Sequence, residues 1–123
     1  MLTKRLIACF DIKNGMVTKA HKFQDNINVG RAEDIACKIY QDQIDEIIFY
    51  DITASSEKRK IDIETVKNVA KHVFVPFTVG GGIKNLENMY EVLKAGAEKI
   101  IVDSMAVRNP EIIREGAKAF GSQ

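Results

Sequence analysis

Apolar residues fall along this chain in two alternating patterns. Four short runs are continuous: Leu6-Ile7-Ala8-Cys9-Phe10, Glu46-Ile47-Ile48-Phe49-Tyr50, Val73-Phe74-Val75-Pro76-Phe77-Thr78-Val79 and Lys99-Ile100-Ile101-Val102. Hydrophobicity that is continuous rather than alternating marks parallel strands covered on both faces. After each run the apolar residues take up helical spacing instead. Ala32, Ile35, Ala36, Ile39 and Tyr40 predict a helix from about Arg31 to Gln43, and Val66, Val69, Ala70 and Val73 predict a second. A third carries Leu86, Met89, Tyr90 and Leu93, opened by Asn85 as N-cap and ended by Gly96 as C-cap residue. Asn109-Pro110-Glu111 supplies an N-cap, an N1 proline and a first-turn acid for the last helix, which bears Ile112, Ile113, Gly116, Ala117 and Phe120 and closes at Gly121.

The order is therefore strand then helix, four times over, which demands a parallel sheet with right-handed crossovers. Two architectures satisfy it: an open doubly wound sheet, or a (βα)4 half of a TIM (β/α)8 barrel with parallel strands and outer helices. A full barrel takes about 250 residues, and this chain has 123. A chain of that size is one domain, residues 1–123, large enough to bury a real core. The polar segment from Lys13 to Gly30, with Asn14-Gly15 as a turn signal, is longer than a structural connection needs and is expected to be a lid loop. A second loop runs from Ala54 to Lys60. Phe10-Asp11-Ile12 and Asp51-Ile52-Thr53 form a weak internal repeat in which an apolar strand stops at an aspartate.

Composition narrows the class of protein only slightly. At 46% hydrophobic and 28% charged residues, with no apolar run near the roughly 18 needed to span a bilayer, the sequence predicts no membrane segment. The basic Met1–Arg5 start is followed by a strand-like run broken by Asp11, a poor signal peptide, so a cytoplasmic protein is expected. Net charge is +1 with both signs intermixed, which argues against a nucleic-acid surface. Cys9 and Cys37 show neither metal nor redox spacing and are expected to be buried free thiols.

In either architecture, ligands sit at the carboxyl ends of the strands. The residues delivered there are Asp11, Asp51, Thr78 with Gly80-Gly81-Gly82, and Asp103 with Ser104. Glycines after a strand and before a helix let backbone amides approach an anion, usually phosphate; the plainer alternative is a tight turn that needs positive φ. Gly82 with the amides around Ser104 is the candidate phosphate cradle, and Lys19 a second anchor. Asp11 is the first choice for general acid–base work, because partial burial raises a carboxyl pKa toward neutrality. It could equally cap a loop amide or pair with Lys13 or Lys19. Asp51 and Asp103 can also be read as acceptors that orient neighbouring loops. Three carboxylates at one rim could hold a divalent cation, but no histidine or fourth oxygen ligand is suggested by spacing, so no metal and no cofactor are expected. His21 and His72 stand alone and receive no role.

Lys4 to Gly15, Asp51-Ile52-Thr53-Ala54-Ser55, Pro76 to Ile83 and Phe120-Gly121-Ser122-Gln123 together resemble the cyclase subunit of imidazole glycerol phosphate synthase. The resemblance covers the whole chain but only the N-terminal half of the family's barrel. It implies a histidine-pathway lyase that takes ammonia from a glutaminase and closes an imidazole ring on a small molecule with a phosphate at each end. On that reading Asp11 matches one of two catalytic aspartates, Gly81, Gly82, Asp103 and Ser104 match one phosphate site, and Lys19 matches the lysine of the mobile first loop. Asp51 and Thr78 would lie at the rim. Arg5, Glu46 and Lys99 match three of four charged residues gating ammonia entry at the opposite mouth. The sequence departs from the family at Asp103, where asparagine is usual, at Ala20 and His21, where a glycine follows the lysine, and at Gln43-Ile44-Asp45, which lacks a glycine before the second strand. The second aspartate and second phosphate site lie in the absent half, which a second copy in a C2 homodimer would supply. The alternative is a catalytically silent, phosphate-binding half-barrel fragment.

Overall fold

The structure, a computed structural model, describes residues 2–21, 24–54 and 61–123. Six strands form one sheet: β1 (Ile7–Lys13), β2 (Met16–His21), β3 (Gln24–Arg31), β4 (Glu46–Asp51), β5 (Phe77–Gly80) and β6 (Lys99–Ile101), in the order β3-β2-β1-β4-β5-β6. The helices are α1 (Ala32–Gln41), α2 (Ile63–Ala70), α3 (Leu86–Lys94), α4 (Ser104–Arg108) and α5 (Glu111–Phe120). The strand–helix alternation and the parallel pairing of β1, β4, β5 and β6 follow the expected pattern.

Register sorts the parallel strands into two faces. Ile7 lies opposite Glu46, Cys9 opposite Ile48 and Asp11 opposite Tyr50, while Thr78 lies opposite Ile48 and Lys99, and Gly80 opposite Tyr50 and Ile101. Side chains alternate along a strand, so these residues share one face, and Phe10, Ile12, Ile47, Phe49, Phe77 and Val79 share the other. The second face carries the core. There Phe10, Phe49 and Phe77 meet edge to face, with centroids 5.5 Å and 5.1 Å apart, an arrangement the ring quadrupoles favour. Val66 and Val69 of α2, Met89 and Val92 of α3 and Ile112 of α5 are buried in the same cluster. The helices pack in sequence, α1 on α2, α2 on α3 and α3 on α5, as an outer layer on that one side.

Among the described residues no helix or strand covers the first face. Ile7 is 44% exposed and Cys9 is exposed as well, although the run around them reads as a strand covered on both sides. The expectation of two buried thiols fails for the same reason: Cys9 points away from the helices, and Cys37 is only partly covered on the flank of α1.

Three further expectations are corrected. The segment from Lys13 to Gly30 is not a lid loop over its described length but antiparallel sheet: β2 pairs with β1 from Asp11↔Thr18 to Lys13↔Met16, and β3 pairs with β2. The turn is two residues, Asn14 at φ 51 and Gly15 at φ 73, the twist that closes a right-handed hairpin. The third strand begins at Phe77 rather than Val73, because proline has no N–H to give a ladder; Pro76 instead accepts from the Ile47 amide at 3.0 Å. The last helix begins at Glu111 with Pro110 in the N-cap position and no side-chain cap, rather than with Asn109 as N-cap and Pro110 as N1, and residues 104–108, to which no element was assigned, form the short helix α4. The second expected loop lies mostly in residues 55–60, outside the described residues.

The missing glycine before β4 has a local consequence. After α1 the chain reverses through Gln43 at φ 65, a left-handed conformation that a side chain disfavours. Gln43→Gly is therefore expected to stabilise the chain by about 0.5–1 kcal/mol, read as a higher urea midpoint at unchanged m-value. A midpoint at or below that of the parent would contradict it.

Candidate active-site cleft

The carboxyl ends of β1, β4, β5 and β6 open into a single cleft of about 540 Å³. Asp11, Tyr50, Asp51, Gly81, Gly82, Asp103 and Ser104 line it, together with Lys84, Ile101, Met105 and Arg108. Five strand-end residues singled out from the sequence are thus brought together: Asp11, Asp51, Gly82, Asp103 and Ser104, with Gly81 beside them.

Each is held by a different device. Asp11 sits near the end of β1, opposite Tyr50 of β4, exposed at the cleft lip; its carboxylate engages no partner among the described residues. The capping and ion-pairing roles left open by its sequence are therefore not the ones it fills. Asp51 ends β4 and is buried, and its Oδ1 accepts from the Thr53 amide at 3.2 Å, the Thr53 hydroxyl at 3.3 Å and the Ala54 amide at 3.0 Å. That carboxylate ties the turn after β4 into one rigid piece, since buried charge is tolerated only when hydrogen-bonded.

The glycine loop rests on this turn. Gly81 at φ 97 and Gly82 at φ 68 both need positive φ, and a Cβ on Gly81 would lie 2.3 Å from the Asp51 carbonyl oxygen, one on Gly82 2.6 Å from the Ala54 Cβ. The close approach that forbids side chains is to the neighbouring turn. Both readings of the glycines therefore meet at one place: they are required by the turn, and they line the cleft. Asp103 precedes α4 at φ −112, and its carbonyl accepts from the Ala106 amide at 2.9 Å; Ser104 opens the helix.

Other residues singled out from the sequence lie elsewhere. Thr78 is buried on the open face two residues below Gly80, flanked in register by Ile48 and Lys99, and does not line the cleft. Lys19 is exposed on β2 opposite Ile27 and is not a lining residue either. Arg5, Glu46 and Lys99 meet at the opposite end of the strands. Glu46 is only 4% exposed, its Oε1 accepting from Arg5 Nη1 and its Oε2 standing 3.7 Å from Lys99 Nζ. A carboxylate that buried needs its partners, whereas the two cations, 62% and 47% exposed, gain little from it individually.

Lys84, Arg108, Tyr50 and Met105 are cleft residues that the sequence reading passed over. Arg108 follows Ser104 by four positions, which sets both on one face of α4, a signal usable only once α4 is known to be helical.

Residues 5–123 match the family described as "Histidine biosynthesis protein". The chain belongs to that family. Its fold is accordingly a (βα)4 half of a TIM barrel, with β2 and β3 added at the β1 edge. It is 54% identical over 123 residues to the imidazole glycerol phosphate synthase subunit HisF of Syntrophobacter fumaroxidans, an alignment covering 100% of this chain and 48% of that protein. The corresponding subunit of Desulfatibacillum aliphaticivorans is also 54% identical, over 100% of this chain and 47% of its own length. For Desulfovibrio desulfuricans the identity is 50%, with 48% of the relative covered. The chain thus spans about half the length of the curated relatives it matches. The resemblance seen in the sequence holds over the whole chain, and in this family the open face of the sheet is the inner face of a barrel.

Proposed function

We propose that this chain is a cyclase half-barrel of the imidazole glycerol phosphate synthase type, which closes an imidazole ring on a bis-phosphate substrate using ammonia from a glutaminase. One observation carries the reading: Asp11, Gly82, Asp103 and Ser104, drawn from three separate strand ends, line a single cleft. Asp11 acts as general acid–base and the Gly82 to Ser104 side seats one phosphate. Lys19 serves from the β2–β3 hairpin, Asp51 and Thr78 shape the rim and floor, and Arg5, Glu46 and Lys99 form the ammonia mouth and the glutaminase face. The setting is cytoplasmic. No helix of the described residues is long and apolar enough to cross a membrane.

The second half comes from a second copy. Among the described residues the inner face carries Ile7, Cys9, Ile48 and Ile101 without a layer over it, and on the side of β1 away from β4 the stretch Ile7–Phe10 has no strand partner. Unpaired edges and open apolar faces drive association. A C2 dimer places β6 of each chain against β1 of the other, exchanging the 3.0 Å bond from the Ile100 amide to the Gln123 carbonyl for strand pairing. It brings two Asp11 carboxylates and two phosphate seats to one rim.

Sedimentation of the chain, with turnover of the bis-phosphate substrate measured at saturating ammonia, tests this. A stable dimer that turns over is expected, and a stable monomer would overturn it. The length match to about half of each relative favours a second reading, a silent phosphate-binding half; phosphate binding without turnover at any chain concentration would select it.

A further inference from the structure

We propose that Lys84 and Arg108 form a cationic clamp that offsets Asp103 and grips the phosphate monoester end of the substrate, an inference that rests on the phosphate seat proposed above. The cleft has an electrostatic problem to solve. Its lining carries three carboxylates, Asp11, Asp51 and Asp103, and one of them, Asp103, adjoins the residues that would face the anion. Lined by those alone, the cleft would repel a phosphate dianion. Asp51 accepts from the Thr53 and Ala54 amides in the turn after β4, which holds it in place.

Two cations also line the cleft, Lys84 and Arg108. Lys84 lies two residues beyond Gly82, its backbone amide donating to Asn88 Oδ1 at 3.2 Å, which fixes where its side chain starts. Arg108 ends α4 on the face of Ser104. Both side chains are exposed, and neither is engaged in an ion pair or hydrogen bond among the described residues. The described arginines elsewhere, Arg5, Arg31 and Arg114, each have a carboxylate partner. Arg108 does not, although Asp103 lines the same cleft.

The chemistry divides between them. A guanidinium can meet two phosphate oxygens at once in a planar fork, while an ammonium adds a compact charge on a flexible stem. Arg108 therefore orients the phosphate and Lys84 neutralises it.

Inorganic phosphate is the probe, titrated into the full chain and followed by amide chemical shifts of Gly81, Gly82 and Ser104. R108Q is expected to weaken phosphate binding roughly tenfold and K84Q several-fold. D103N is expected to tighten binding, and by more in the R108Q background than in the parent, where Arg108 already offsets the carboxylate; a merely structural arginine would give equal gains in both. K118Q, on α5 away from the cleft, should leave the affinity unchanged. If the parent chain binds phosphate and both R108Q and K84Q stay within twofold of it, the clamp is overturned and the seat stands. Equal weakening by K118Q overturns the clamp in favour of a diffuse positive field. If the parent chain binds no phosphate at these amides, the seat falls and the clamp with it.

Discussion

Asp11→Asn is expected to lower turnover of the proposed ring closure by at least about a hundredfold, because a positioned general acid–base is worth roughly 10²–10⁴ in rate. Asparagine keeps the shape and a carbonyl acceptor but cannot take up and return a proton. The structure makes this a clean substitution. The Asp11 side chain engages nothing among the described residues, and the contact that anchors the residue is through the backbone, the Thr18 hydroxyl donating to the Asp11 carbonyl at 3.5 Å. Stability should then move by less than about 0.5 kcal/mol, as for an ordinary exposed position. Phosphate affinity at the far side of the cleft should rise slightly if it moves at all, since one carboxylate has gone. The loss belongs in kcat. Steady-state kinetics of the assembled protein, beside a urea melt, separate these effects; turnover within tenfold of the parent would remove Asp11 from the chemistry.

Gly81→Ala is expected to cost about 2–5 kcal/mol of stability, the sum of a left-handed backbone penalty and overpacking against atoms that cannot yield. The added Cβ would meet Asp51 on three sides, 2.3 Å from its carbonyl oxygen, 3.0 Å from its carbonyl carbon and 3.1 Å from its amide nitrogen. All are backbone. Asp51 cannot retreat, because β4 is paired there with β1, the next amide donates to the Ile12 carbonyl at 3.1 Å, and the carboxylate is bound into its own turn. Gly121 supplies the contrast. It shares positive φ, but a Cβ there meets nothing within 4 Å, so Gly121→Ala should show the backbone penalty alone, about 1–3 kcal/mol at φ 79 and ψ −145. For a domain whose whole stability is about 5–15 kcal/mol, the difference between these two alanines is easily read by denaturation. A loss below about 1 kcal/mol at Gly81 would mean that the loop and the β4 turn separate more readily than their contact implies.

The β4 strand and the helices α1, α3 and α5 were legible in the sequence from their apolar spacing, and α3 from its end residue as well, since Asn85 accepts from the Asn88 amide at 2.9 Å as an N-cap should. The hairpin was legible too, but its signal was outweighed. Asn14-Gly15 is the strongest short hairpin turn, yet the polar residues around it suggested a loop, although Val17 joins the core and α1 packs against both β2 and β3. Cys9 was misjudged for a deeper reason. A strand's run of apolar residues reports that both faces are meant to be covered, not that one chain covers them.

Much the same divides the site. Parallel strand–helix order places Asp11, Asp51, Gly82 and Asp103 at one rim whatever the details, so those four could be found without coordinates. Lys84 and Arg108 could not, because their position depends on how a five-residue helix turns its face. Lys19, read as a second phosphate anchor, stands on β2 opposite Ile27, outside the residues that line the cleft.

The hairpin has one more effect, on whatever strand completes the sheet. By occupying the β1 edge from Asp11 to Lys13, β2 leaves only Ile7 to Phe10 available, a slot about four residues long with a fixed upper stop. An incoming strand can slide toward the amino end but not past Asp11. Because a slip of one residue would turn every side chain of that strand to the wrong face, the hairpin acts as a ruler. It sets the stagger of the closing seam, and with it the height at which any opposing residue would stand across from Asp11.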